Sequence, residues 1–324
     1  MSRFLPYMAL AVALVFTSWA SIIIRLTPAS GVVIAFWRQL LATLGTLLIV
    51  WYMGQAKELR DVLKSDNNML LLALAGSGFC LALHFATWIS SLFYTSVAQS
   101  LVIVDSSPLF VVMGGYLFLK ESINRYQTTG VAVSVVGGVV IAVAGLEPSA
   151  LGSNPLLGNV LAFVGAITVA GYLLVGRFVR QINQMGVFVY TAWVYGFSTF
   201  FLFIIAFLID PAGMWQSLTL TLPTEAYVLF GLLALLSTML GHTLYNFSLQ
   251  EVKAAIVSIV TLGEPIVSSV LAVFILEEFP TTLTIVGGLL VLLGVMIAVW
   301  KEEEESVVLG AGEVPLQAKE FGGI

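Results

Sequence analysis

The stretch 107–138, SPLFVVMGGYLFLKESINRYQTTGVAVSVVGG, has a counterpart at 264–295, EPIVSSVLAVFILEEFPTTLTIVGGLLVLLGV, at a constant offset of 157 residues. Without a gap, Pro108 falls on Pro265, Glu121 on Glu278, Gly130 on Gly287 and Gly137 on Gly294, and Leu-Lys-Glu at 119–121 meets Leu-Glu-Glu at 276–278. Each copy reads as an apolar run, a charged turn, and a second, Gly-bearing apolar run. The offset is close to half of the 324 residues, so the repeating unit is about half the chain.

Working outward, similar runs fill both halves. A bilayer core about 30 Å thick needs about 20 apolar residues in a helix. Segments of that kind run at 4–24, 32–54, 69–92, 97–119, 126–145, 155–176, 186–209, 225–248, 254–276 and 281–300. The breaks between them carry charge, Pro, Gly or Asn, except at Ser91 to Val97, where only polarity dips. The fold class is therefore an all-α integral membrane protein, with ten transmembrane helices expected. Composition agrees: 59% of residues are hydrophobic and 10% charged, with a mean hydropathy of +1.03. A soluble chain carries about 25% charged residues and has no lipid to cover such apolar surface. The first run, about 20 residues long, exceeds the core of a signal peptide and is expected to stay in the mature protein.

Lysine and arginine set the orientation. With the N-terminus in the cytoplasm, Arg3, Lys57, Arg60, Lys64, Lys120, Arg125, Arg177, Arg180, Lys253 and Lys301 all fall inside, Arg25 falls outside, and Arg38 lies within a span. That is the positive-inside pattern, with both termini cytoplasmic. Five spans per unit is an odd number, so the second unit is inverted relative to the first. The expected organisation is a first five-helix repeat at 1–147, a second, inverted repeat at 148–300, and an acidic, disordered cytoplasmic tail at 301–324. Inverted repeats suit secondary transporters, whose oppositely facing halves exchange access to a midplane site.

The chain resembles EamA domains of the drug/metabolite transporter superfamily. The resemblance rests on Phe36-Trp37-Arg38, on the Pro108…Glu121 pattern, and on Glu264-Pro265-Ile266-Val267 followed by Leu276-Glu277-Glu278. It covers residues 4–300. It implies a multi-pass protein of a bacterial or archaeal cytoplasmic membrane that exports or exchanges amino acids and other small metabolites without hydrolysing a nucleotide. Two features depart from the family's pattern. Trp19 is followed by Ala20 rather than Gly, with Arg25 near the usual Lys, and Asp105 is an unexpected residue in the fourth span.

Ionisable groups within spans cost roughly 2.5–3.5 kcal/mol each and usually face a bundle interior. Here they are Arg38, His84, Asp105, His242 and Glu264. Counted at 1.5 Å per residue, Arg38, His84 and Asp105 share a depth and Glu264 lies near the midplane. Arg38 would hold a substrate carboxylate through its fork, or form a structural ion pair with Asp105. Asp105 or Glu264 would hold an amine, or a proton if transport is proton-coupled. On the eighth span Thr238, His242, Asn246 and Gln250 recur every four residues, flanked by Tyr245; on the third, Cys80, His84 and Trp88 do the same. Both stripes are expected to face one central cavity, although polar residues also hold helices together in membranes. The candidate substrate-binding set is thus Arg38, His84, Trp88, Asp105, His242, Tyr245, Asn246 and Glu264. Pro108 and Pro265 are candidate hinges. Interior rings such as Trp88 and Tyr245 favour apolar or aromatic amino acids as cargo.

Other classes lack their marks. There is no Gly-rich phosphate loop ending in Lys-Ser/Thr, no His-Glu-x-x-His cluster and a single cysteine, Cys80, so no catalytic residue, metal or cofactor is expected. Basic residues are not clustered for nucleic acid. The expected partners are the lipid bilayer and a small-molecule substrate, with the oligomeric state left open. The alternative within transport is a broad drug or metabolite exporter; a membrane enzyme and a non-transporting membrane protein stand further off.

Overall fold

The computed structural model describes residues 5–64, 68–119, 124–144, 152–182, 185–252, 257 and 260–299. Glu121, Lys120, Lys253, the 147/148 boundary and the tail from 301 lie outside the described residues. All described secondary structure is helical. Helices α1 (Leu5–Ser18) and α2 (Ala20–Leu26) form one rod through Trp19, whose carbonyl accepts from Ile23 N at 3.1 Å. They are followed by α3 (Gly31–Tyr52), the short charged α4 (Ala56–Lys64) and α5 (Asn68–Ser91). Next come α6 (Val97–Val104), α7 (Ser107–Leu119), α8 (Arg125–Ala144), α9 (Pro155–Ile182), α10 (Val187–Ile209) and α11 (Pro211–Leu218). A composite helix then joins α12 (Thr224–Leu232), a π-helical stretch at Leu233–His242 and α13 (Thr243–Ser248). A 3-10 turn at Thr261–Gly263 leads into α14 (Glu264–Leu276), and α15 (Thr282–Val299) completes the bundle.

Seven helices among the described residues are long and apolar enough to cross a membrane, and three shorter apolar ones lie at Thr128–Ile141, Thr261–Leu276 and Thr282–Ile297. With no water in a hydrocarbon core, helices are the form that satisfies every backbone N–H and C=O internally. The chain is a multi-pass membrane protein. The charge-free break between the third and fourth segments is real: Ser96 caps α6 by accepting from Gln99 N at 3.2 Å.

Two helices are interrupted at corresponding places. The fourth breaks at Asp105-Ser106, just before Pro108, and the ninth passes through its 3-10 turn just before Pro265. Proline in a first helical turn gives up a donor that had no intrahelical partner, so each proline starts a new helix instead of kinking a continuous one. Helices α7 and α14 are both 13 residues long, and their first residues, Ser107 and Glu264, are offset by 157, the separation also of Ser134 and Val291, which hydrogen-bond at 3.2 Å.

Packing follows small side chains. α8 lies along α15, α5 along α9, and α10 against both α3 and α5. A Cβ on Gly137 would meet the Gly287 carbonyl at 2.7 Å, and one on Gly294 would strike Ser134 and the Gly130 carbonyl. The higher-numbered glycine of each helix thus meets the lower-numbered one of the other, so α8 and α15 run antiparallel with their backbones in contact.

Candidate binding cavity

The motif Phe36-Trp37-Arg38 places three successive side chains about 100° apart around α3. Phe36 packs on Phe203 of α10 with centroids 5.8 Å apart, and Trp37 stacks on Phe230 of α12 at 5.9 Å and 3°. The two rings anchor α3 to its neighbours, and Arg38 is left pointing into the bundle. It is fully buried. Its Nε donates to Thr238 Oγ1 at 2.7 Å, and its guanidinium lies 4.2 Å from the Phe85 ring centroid and 5.9 Å from that of Trp88. Among the described residues neither Nη1 nor Nη2 finds a hydrogen-bond partner, and no ion pair forms with Asp105. The guanidinium's face is held by aromatic π-density while its outer fork is buried and unpartnered.

That fork belongs to a central cavity lined by α1, α2, α3, α5, α6, α7, α9, the π-helical stretch, α13 and the start of the ninth helix. Seven of the eight expected residues share its wall: Arg38, His84, Trp88, Asp105, His242, Tyr245 and Glu264. Both helix breaks end on it. Asp105 caps the C-terminus of α6 with its Oδ2 unpartnered, and Glu264 opens α14, its Oε1 accepting from Thr17 Oγ1 at 2.6 Å and Tyr245 OH at 2.9 Å. One cation and two carboxyl groups therefore face the same small space. The Nδ1–H tautomer of His84 donates to the Gly165 carbonyl at 3.0 Å, and the ring stacks on Trp88 at 5.6 Å and 9°. His242 stands among Phe85, Tyr245, His84 and Tyr172, with centroids 5.2, 6.2, 6.5 and 6.5 Å away. About 50 Å³ of the cavity is reachable by water, room for a few molecules.

The polar stripe of the eighth helix is divided among four partners. The π-helical turns widen the helix between Leu233 and His242. Thr238 meets Arg38, His242 enters the cavity, Asn246 Nδ2 donates to Tyr172 OH at 2.5 Å, and Gln250 accepts from Arg180 Nη2 at 2.9 Å. Asn246 stands behind Tyr172, which is itself in the cavity wall. On α5, Cys80 lies against Gly171, away from the cavity. Thr17, Ser107, Tyr172 and Thr261 are polar wall residues that the sequence reading passed over. Thr17 begins a polar cluster, Thr17-Ser18-Trp19-Ala20-Ser21, within an otherwise apolar span, and that was the available signal; Tyr172 had none beyond its mid-span position.

Comparison with known proteins agrees with this architecture. The sequence profile of the EamA-like transporter family matches residues 5–143 and again 156–300. An uncharacterized transporter of Archaeoglobus fulgidus is 25% identical over 271 residues, covering 84% of this chain and 88% of its own. An S-adenosylmethionine uptake transporter of Rickettsia bellii is 26% identical over 273 residues, with 84% of each chain covered. A crystal structure with 13% sequence identity aligns over 94% of this chain and 99% of its own with a TM-score of 0.62, which is a likeness of fold.

Proposed function

This chain belongs to the EamA-like transporter family, and we propose that it moves amino acids, with apolar and aromatic ones favoured, across a bacterial or archaeal cytoplasmic membrane by alternating access. The observation that carries the reading is the unpartnered fork of Arg38 at an aromatic-walled cavity that also holds Asp105 and Glu264. A carboxylate completes the guanidinium's two missing hydrogen bonds, and an ammonium finds the carboxyl groups. The rings of Trp88, Tyr172 and Tyr245 suit an apolar side chain, as aromatic walls do in small-molecule sites. With space for only a few waters, the cavity has to widen to take such a substrate, and this conformation is read as closed around its site.

The ten-helix inverted repeat is part of the proposal, with repeats at 1–147 and 148–300. It is supported by the shared offset of α7 and α14, by the paired breaks, and by the reciprocal glycine contacts of α8 and α15. In such a pair of halves Pro108 and Pro265 fix where the fourth and ninth helices bend. The orientation proposed from the basic residues puts both termini in the cytoplasm, and export is the direction that the family resemblance implies. Proton coupling would use Asp105 or Glu264, the two carboxyl groups of the cavity.

A second reading follows from the Rickettsia bellii relative. S-adenosylmethionine carries an amino-acid group, a sulfonium and a nucleoside, and the same fork, carboxyl groups and rings suit those parts. The test is uptake of labelled amino acids and S-adenosylmethionine into proteoliposomes, with and without a pH gradient, beside Asp105→Asn and Glu264→Gln. Uptake of apolar or aromatic amino acids, lost in either variant, supports the first reading, and uptake of S-adenosylmethionine alone supports the second. No uptake by folded protein refutes both.

A further inference from the structure

The outer end of the cavity carries a second polar cluster. Arg25, in the last turn of α2, pairs through Nη2 with Glu278 Oε1 at 2.5 Å and donates from Nη1 to the Leu92 carbonyl, just past the end of α5, at 2.5 Å. Glu278 Oε2 accepts the backbone N–H of Val97, the first residue of α6, at 3.0 Å. Glu277 adopts a left-handed conformation, φ 57°, which ends α14 and turns the chain so that Glu278 reaches this point. Glu278 is 8% exposed, so its carboxylate is shielded, while the Arg25 side chain remains partly exposed. Three helix ends from the first half of the chain are thereby tied to a single carboxylate from the second half.

The cluster sits directly over the cavity wall. On α2 the lining residue Ala20 is five residues from Arg25; on α5, Trp88 is four from Leu92; on α6, Leu101 is four from Val97. At 1.5 Å per residue the cluster lies roughly 6–8 Å above the lining on all three helices. Separating the halves at this end exposes the wall and has to break the Arg25–Glu278 pair. We infer that Arg25 and Glu278 form the outer latch of the transport cycle, holding the cavity shut toward the outside until substrate or the opposing conformation displaces it. The inference rests on the transporter reading and on the orientation given above.

The experiment measures access, not transport. In a Cys80→Ser background, Leu101→Cys places a thiol in the cavity wall, and right-side-out and inside-out vesicles are treated with a membrane-impermeant thiol reagent. Glu278→Gln keeps an acceptor for Val97 N–H while removing the charge; it should raise the labelling rate from the outside about tenfold. Arg25→Gln should do the same, and Arg25→Lys, which keeps the ion pair, should fall between these variants and the parent. The Arg25→Lys arm decides the matter should a charge-removing variant fail to fold. Equal labelling in all variants, or acceleration only from the cytoplasmic side, would overturn the latch. Labelling needs no substrate, so an empty uptake panel leaves a positive latch result intact, and unchanged labelling leaves the transport reading intact.

Discussion

Replacing Arg38 by methionine should weaken substrate binding strongly while leaving the fold almost as stable as before. Methionine is a similar unbranched length and is at home in an apolar interior. The variant loses the hydrogen bond from Nε to Thr238, about 1.5–3 kcal/mol for a charged donor, and the cation–π contact with Phe85, about 2 kcal/mol when desolvated. Against this stands the cost of burying a guanidinium whose Nη1 and Nη2 have no partner, several kcal/mol after relaxation. The terms nearly cancel, so Tm should move by no more than about 4 °C, the equivalent of about 1 kcal/mol. Binding responds differently. A carboxylate that loses both arms of the fork loses about 3 kcal/mol, a factor of roughly 150 in Kd. The assay pairs a thermal melt with calorimetric titration of the transported amino acid into protein held in lipid nanodiscs. A fall in Tm of more than about 10 °C with Kd unchanged would refute the reasoning and make Arg38 a structural residue.

Three further outcomes are expected. Glu264→Gln keeps an acceptor for Thr17 and Tyr245 but cannot exchange a proton; if Glu264 couples transport to protons, uptake driven by a pH gradient should vanish while substrate exchange at equal pH persists. Gly137→Leu should cost about 1–3 kcal/mol by forcing α8 from α15, read as a lowered Tm, whereas Gly138→Ala, with nothing within 4 Å of its Cβ, should be neutral. Pro108→Ala combined with Pro265→Ala should leave Tm near the parent's, because both prolines occupy first helical turns, yet slow transport several-fold; unchanged uptake at normal expression would remove the hinge role.

The boundary between what the chain reveals and what packing decides is clear in particular residues. Composition and segment length were enough for a helical membrane protein, because hydrocarbon imposes the same demand on every span: an apolar exterior and internally paired backbone. The offset of 157 found Pro108 and Pro265, and the helix breaks lie immediately before them. The cost of burying charge picked out Arg38, Asp105 and Glu264, and all three line one cavity. Periodicity alone put Asn246 with His242, but Tyr172 of α9 stands between Asn246 and the cavity and takes its hydrogen bond, a contact that only the packing of α9 against α13 supplies. Whether Arg38 was neutralised by Asp105 or left open was likewise beyond the sequence. Both states use the same residues, and only the relative placement of α3 and α6 decides between them. Thr17 against Glu264, Tyr172 against Asn246 and Arg25 against Glu278 are contacts between residues far apart in the chain. Local sequence fixes which face of each helix is polar; the approach of those faces depends on side-chain volumes summed over every neighbouring helix, and the glycines that bring α8 against α15 act only once both are present.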